Sequence, residues 1–180
     1  MEAMLPDVES PTFPAELPDL IPAKGKQRYR VALLTGCVQS VFFSRTNNAT
    51  ARVLAENGCE VLVPQNQSCC GALSVHSGRL SEGREFAKHT IKTFEDLDVD
   101  AFVINSAGCG STIKDYGEIL KDDPQYAERA EALSEKTKDV MEFLSDIGLV
   151  GNLKDLNIKV TYQVNEADQE EKTRHPTIRR

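Results

Sequence analysis

The sequence predicts an α/β fold, a three-layer sandwich around a mostly parallel, four-stranded sheet. Three observations predict it. Short apolar runs recur at Tyr29–Thr35, Glu60–Val63, Ala101–Ile104 and Leu156–Tyr162. The first run is continuous, as a strand covered on both faces requires. Longer stretches between the runs carry apolar residues at helical spacing. Strand, helix, strand, helix, strand, helices, strand is the order of a parallel sandwich with right-handed crossovers.

The elements follow in chain order. Residues 1–27 hold Pro6, Pro11, Pro14, Pro18 and Pro22 among scattered acids. Proline resists both helix and central strand, so this stretch reads as an extended arm or linker. The strand Tyr29–Thr35 ends at Gly36-Cys37. A helix is expected over Ser44–Asn57, with Ala49, Val53 and Leu54 at helical spacing, Ser44 as N-cap and Gly58 past the end. The second strand, Glu60–Val63, stops at Pro64. The segment Gln67-Ser68-Cys69-Cys70-Gly71-Ala72-Leu73 then leads into a helix over 79–98, where Phe86, Thr90, Ile91 and Phe94 share a face. Ala101–Ile104 is the third strand, ended by Ala107-Gly108-Cys109-Gly110. Ser111–Leu120 forms a helix with Ile113, Tyr116 and Leu120 on one side. Asp123-Pro124 marks a fresh helix start. Residues 124–147 read as two helices, the second beginning near Lys138 or Asp139. Leu156–Tyr162 is the fourth strand. Residues 164–180 are polar and read as a disordered tail.

Composition narrows the function classes. The 180 residues are 40% hydrophobic and 27% charged, enough for one ordinary core. A net charge of -7 speaks against nucleic-acid binding, which needs clustered Lys and Arg. No apolar run approaches the roughly 20 residues that span a bilayer. No basic segment followed by an apolar one opens the chain, so the expectation is a cytoplasmic protein. In a reducing compartment five cysteines point to metal or thiol chemistry rather than to a disulfide framework.

Four of the five converge. Cys37 follows the first strand, Cys69 and Cys70 lie in the loop after the second, and Cys109 follows the third. In a parallel sheet those loops gather at the carboxyl edge, where ligands bind. Adjacent cysteines bond to each other only with strain, so Cys69 and Cys70 read as ligands or reactive thiols. Soft thiolates suit an iron–sulfur cluster or zinc. Zinc favours paired Cys-x-x-Cys knuckles, which are missing here. A cluster built across loops, a zinc site and a reactive dithiol remain as readings. Cys59 begins the second strand, at the opposite end, and is expected to pack as a small apolar residue. His76 is expected to face the same edge as the cysteines, where it would bond a cofactor sulfur, relay a proton or serve as an ordinary loop histidine. His89 is expected to be solvated, and His175 lies in the tail. Gly36, Gly71, Gly108 and Gly110 flank the cysteines, for close approach to a cofactor or for turn chemistry.

The surrounding words carry a resemblance. Leu34-Thr35-Gly36-Cys37-Val38-Gln39, Cys69-Cys70-Gly71-Ala72-Leu73-Ser74-Val75-His76 and Asn105-Ser106-Ala107-Gly108-Cys109-Gly110-Ser111 resemble the cysteine-rich CCG domain. That domain occurs in heterodisulfide reductases and in iron–sulfur subunits of glycolate and lactate oxidation, and the words are most similar to those of glycolate oxidase subunits. The likeness covers residues 28–163. It implies a non-catalytic electron-transfer domain holding an iron–sulfur cluster of the [4Fe-4S] class. Cys37, Cys69, Cys70 and Cys109 would be its ligands, with Gly71 and His76 beside it and zinc as the alternative metal. It implies a flavin-containing partner subunit, further iron–sulfur domains, a quinone-type acceptor and peripheral association with the inner face of the plasma membrane. Three departures accompany it. Thr112 stands where the longer pattern ends in cysteine. No ferredoxin-like Cys-x-x-Cys-x-x-Cys motif precedes the domain. Beyond Tyr162 the chain reads Gln163-Val164-Asn165-Glu166 in place of a second repeat, and the expectation is a fragment. A thiol-redox or zinc module, or a cofactor-free fragment that binds a partner subunit, is the alternative reading.

Overall fold

One strand, β2 (Tyr29–Leu34), organises the sheet. The computed structural model describes residues 17–151. On one side of β2 runs β3 (Cys59–Leu62), parallel, with Val31 opposite Val61. On the other runs β4 (Ala101–Ile104), also parallel, with Val31 opposite Ala101. The edges are β1 (Leu20–Ile21), antiparallel to β3, and β5 (Thr137–Asp139), parallel to β4. The order is β1-β3-β2-β4-β5.

The sheet therefore has five strands among the described residues, where four were expected. Its third parallel neighbour, β5, lies inside a stretch expected to be helical. Three residues are too few to show a strand period, and their strand character comes from pairing with Phe102, Val103 and Ile104. The edge strand β1 lies in the expected arm, between Pro18 and Pro22. Prolines are tolerated at a sheet edge, where a missing donor breaks no ladder. The strand expected at Leu156–Tyr162, the tail from 164 and residues 1–16 lie outside the described residues.

Helices cover both faces. After β2 come α1 (Cys37–Phe42) and α2 (Ser44–Glu56); after β3 come α3 (Ala72–His76) and α4 (Leu80–Phe94). After β4 come α5 (Ala107–Lys114), α6 (Tyr116–Ile119) and α7 (Ala127–Lys136), and α8 (Val140–Ile147) follows β5. Alternate residues of a strand point to opposite faces. Val31, Leu33, Val61 and Val103 accordingly pack with Leu54 of α2 and Phe143 of α8. Ala32, Leu34, Phe102 and Ile104 pack with α4, α5 and α7 through Ile91, Phe94, Ile113 and Leu133. The result is three layers, helix on sheet on helix.

Local signals explain the helices. In α2, Asn47, Thr50, Ala51, Leu54 and Ala55 form one buried stripe at the helical repeat. Phe43, not Ser44, holds the N-cap position; Ser44 is already helical and caps nothing with its side chain. Gly58, at φ 80°, takes the left-handed turn beyond the C-cap Asn57. The expected helix Ser111–Leu120 is two, starting at Ala107 and broken at Asp115. The helix expected near Lys138 or Asp139 is α8, with Asp139 as its N-cap in a capping box with Glu142.

At the amino edge, Asn57 joins segments far apart along the chain. It is 2% exposed. Its Oδ1 accepts from Val150 N (2.9 Å) and Gly151 N (3.1 Å), and its Nδ2 donates to Val53 O (2.9 Å). Arg28 donates to the carbonyls of Asn57, Ile147 and Gly148 beside it, at the C-terminal ends of α2 and α8. Replacing Asn57 by Ala strands two backbone donors. The Asn57→Ala chain is expected to lose about 1–3 kcal/mol of stability in urea unfolding, with an unchanged denaturant slope.

Candidate functional site

The chain leaves the carboxyl ends of β2, β3 and β4 three times, and each exit carries cysteine. Glycine sets two of the turns. Gly36, at φ 69°, swings the chain from β2 into α1, so Cys37 is the first residue of that helix. Gly71, at φ 84°, does the same between Cys70 and α3. A Cβ on Gly71 would stand 3.0 Å from Gly83 O and from Phe86 Cβ of α4. The Cys-Cys-Gly turn thus rests directly on α4. Cys109 is the third residue of α5. Two of the four cysteines therefore lie in first turns of helices, where loops were expected, because those helices begin as soon as their strands end.

The four sulfurs meet as two pairs. The Cys37 thiol donates to Cys69, whose Sγ also accepts the Gly71 N–H at 3.4 Å. The Cys70 thiol donates to Cys109, whose sulfur also takes a hydrogen bond from Ser106. Those donors lower the Cys109 thiol to about 6. Cys70 is pushed far up by giving its proton to Cys109 and by burial. Burial, and then its bond and repulsion with Cys69, push Cys37 up as well. Cys59 stands apart, fully buried in the opposite face of the sheet and raised to about 11 by desolvation. It packs as an apolar residue, as its position in the sequence suggested.

Polar side chains hold this edge in shape. Gln67 acts as a strand extension: its Nε2 donates to Leu33 O (3.0 Å) and its Oε1 accepts from Thr35 N (2.9 Å). Asn47 donates to Thr35 O (2.9 Å), and Asn105 donates to Asn47 Oδ1 (3.0 Å) and Thr50 Oγ1 (2.9 Å). Beneath the cysteines the buried Tyr116 hydroxyl donates to Cys70 O at 2.6 Å. The sequence reading missed Gln67, Asn47, Asn105 and Ser106. Their signal was position alone, polar residues just beyond strand ends or facing them. His76 closes α3, exposed, and takes no part in the hydrogen bonds that join the thiols. His89 is exposed as expected, and its Nε2 bonds Asn66 O at 3.0 Å. A cleft of about 250 Å³ opens beside Cys37, lined in part by Thr35, Gly36, Ser40, Gln67 and Ser68.

The donor set is thiol only. The groups acting on Cys37, Cys70 and Cys109 include no lysine or arginine. Four thiolates here would repel one another without a positive guest. Among the described residues no group of three or more His, Cys, Asp or Glu side chains is placed to hold a metal ion. Four soft thiols drawn from three strand exits, with no paired Cys-x-x-Cys knuckle, suit an iron–sulfur core better than a single zinc.

Residues 31–114 match the model of the family described as "Cysteine-rich domain", CCG. The chain is 44% identical over 147 residues to the "Probable glycolate oxidase iron-sulfur subunit" of Bacillus subtilis (strain 168), covering 82% of this chain and 33% of that protein. It is 37% identical over 126 residues to "Lactate utilization protein A" of Shouchella clausii (strain KSM-K16), covering 67% of this chain and 52% of that one. The protein of the same name from Exiguobacterium sp. (strain ATCC BAA-1283 / AT1b) is 38% identical over 117 residues, covering 65% of this chain and 48% of that one. The chain thus spans about a third to a half of the length of these relatives. No solved structure matches it.

Two outcomes follow from the geometry. Gly71→Ala forces a side chain into the left-handed region and against α4. It is expected to cost about 1–3 kcal/mol in thermal or urea unfolding. In the metal-free chain, iodoacetamide should modify Cys109 at a nearly constant rate from pH 8 down to pH 7, slowing only as pH falls through about 6. Cys59 should stay unmodified throughout.

Proposed function

We propose that the chain, whose residues 31–114 match the cysteine-rich CCG domain family, is an iron–sulfur electron-transfer domain of a complex that oxidises a 2-hydroxy acid such as glycolate or lactate. The single observation that carries the proposal is the meeting of Cys37, Cys69, Cys70 and Cys109 at one sheet edge. The names of the relatives support it: one is an iron–sulfur subunit, others act in lactate utilization. In this reading a flavin subunit passes electrons to the domain and a quinone-type acceptor takes them up. The complex is cytoplasmic and reaches the membrane through its partners. No helix among the described residues is long and apolar enough to cross a membrane.

The four cysteines would hold the cluster, of the [4Fe-4S] class, by their thiolates. When bound, such a cluster accepts and releases single electrons. The protein's own contribution is position and polarity. Gly71 lets the backbone turn close to the sulfurs, and its N–H bonds Cys69 Sγ. Hydrogen bonds to ligand sulfurs tune a cluster's potential. Ser106 plays the same part toward Cys109. Tyr116 holds the Cys70 carbonyl from below, and Gln67 and Asn47 tie the start of the Cys37 turn to the sheet. His76 stands exposed at the end of α3.

The test is composition and colour after anaerobic purification. The wild-type chain should carry iron and acid-labile sulfide and absorb broadly in the visible. The double variant Cys69→Ser, Cys70→Ser should lose most of both while keeping its far-ultraviolet circular dichroism. Equal iron in variant and wild type, or a colourless zinc protein, would sink the proposal.

A further inference from the structure

We infer that the cysteine edge is a docking face for a second copy of this chain, joined two-fold through the turns that carry the sulfurs. The first observation is charge. Residues 31–44, 61–78 and 101–113 hold the carboxyl ends of β2, β3 and β4 and the exits that follow, and none of them is Asp, Glu, Lys or Arg. The whole chain is 27% charged. The opposite edge shows that this is no general property of the turns: Lys24, Lys26 and Arg28 lead into β2, and Asp96, Asp98 and Asp100 lead into β4. The second observation is exposed apolar surface in the same segments. The helix α1 carries no charge and buries no residue. Val38 is 49% exposed, Phe43 46% and Leu73, on α3, 65%. A short helix that buries nothing in its own chain lacks the packing that ordinarily stabilises one. Cys37, Cys69 and Cys109 share this edge and are themselves partly open.

A rim closes the face. The first charged residues beyond the three segments are Arg45, Arg79 and Lys114. Arg79 is paired with Glu82 at 3.2 Å and Lys114 with Glu142 at 2.7 Å, so these two bring little net charge to the border. A centre depleted of charge inside a polar rim is the anatomy of a protein interface. Charge and symmetry then choose the occupant. A strongly acidic or basic partner finds no countercharge on this face, whereas an identical face matches it in charge and in apolarity. Copies of a chain of net charge -7 repel at long range. The cysteine edge adds nothing to that repulsion and supplies apolar area on both sides of the contact. The apolar residues also stand in two groups. The helix α1 runs on toward α2, over the sheet face of Val31 and Leu33, and α3 packs on α4 and α5, over the other face. A two-fold axis through the cysteine turns therefore sets α1 of one copy on α3 of the other, and the reverse, as an isologous contact requires. Both sets of cysteine turns then meet at one boundary, shut off from water.

The experiment is sedimentation velocity on the full chain, purified anaerobically and kept under reductant, over a range of concentrations. A reversible dimer of twice the 19.9 kDa chain mass is expected, and its dissociation constant should not rise with added salt. Val38→Asp and Leu73→Asp each place a charge on the exposed face. Each should weaken the dimer by roughly tenfold or more while the far-ultraviolet circular dichroism stays that of the wild type. Val53→Asp, in the last turn of α2 and 42% exposed, adds the same charge away from the face and should leave the dimer unchanged. A chain that stays monomeric throughout, a dimer that forms only without reductant, or one that Val53→Asp disturbs as much as Leu73→Asp does would overturn the inference. Iron is measured on the same samples. A colourless dimer upholds this face and sinks the cluster, and an iron-bearing monomer does the reverse.

Discussion

Strand β2 is hydrogen-bonded on both sides and covered on both faces, and every other element answers to that constraint. Val31, Ala32 and Leu33 are wholly buried. A strand so enclosed has no water to satisfy its backbone, so each N–H and C=O needs a protein partner. Where β3 ends at Leu62, the Gln67 side chain takes over the ladder and bonds Leu33 and Thr35. That substitution ties the loop before the cysteine pair to the turn that carries Cys37. The chain moves outward from β2 to β3 and then crosses back to β4 on its other flank, so the turns after β2 and β4 diverge over opposite faces. Doubly wound sheets bind ligands at such a divergence. The cysteines stand where this topology leaves room.

Electrostatics makes the same edge selective. A buried cluster of thiols resists full ionisation, since each charge raises the cost of the next. Here the balance is uneven: Cys109 is held as the anion by its donors, while Cys70 and Cys37 keep their protons. A guest that supplies positive charge at sulfur releases those protons as it binds. Two pairs already sharing protons lie partway to that state.

Much of this was legible in the sequence, and the residues show why the remainder was not. The strands β2, β3 and β4 read clearly because their apolar runs are dense and bounded by Gly36, Pro64 and Asn105. Once their order was known, the convergence of Cys37, Cys69, Cys70 and Cys109 followed from chain direction alone. β5 was hidden because Thr-Lys-Asp has no apolar signature, and it pairs only because β4 offers an open edge. Ser44 looked like a cap by type, yet α1 runs into α2 with Phe43 alone between them, and the cap position fell there. Gln67 and Asn105 carry no pattern at all. Their side chains act at distances of more than thirty residues along the chain, which propensity cannot register. The pairing of the sulfurs was invisible for the same reason.

The spread of the cysteines over three crossovers has a kinetic meaning. In the unfolded chain only Cys69 and Cys70 are neighbours; Cys37 and Cys109 are each separated from them by two helices and a strand. Bringing them together costs loop-closure entropy that only the completed parallel sheet offsets, and such non-local pairing forms slowly. A cofactor cannot nucleate this fold as zinc nucleates a finger. A cluster held by these four thiols would bind a sheet that had already closed, a finished surface rather than a nascent peptide.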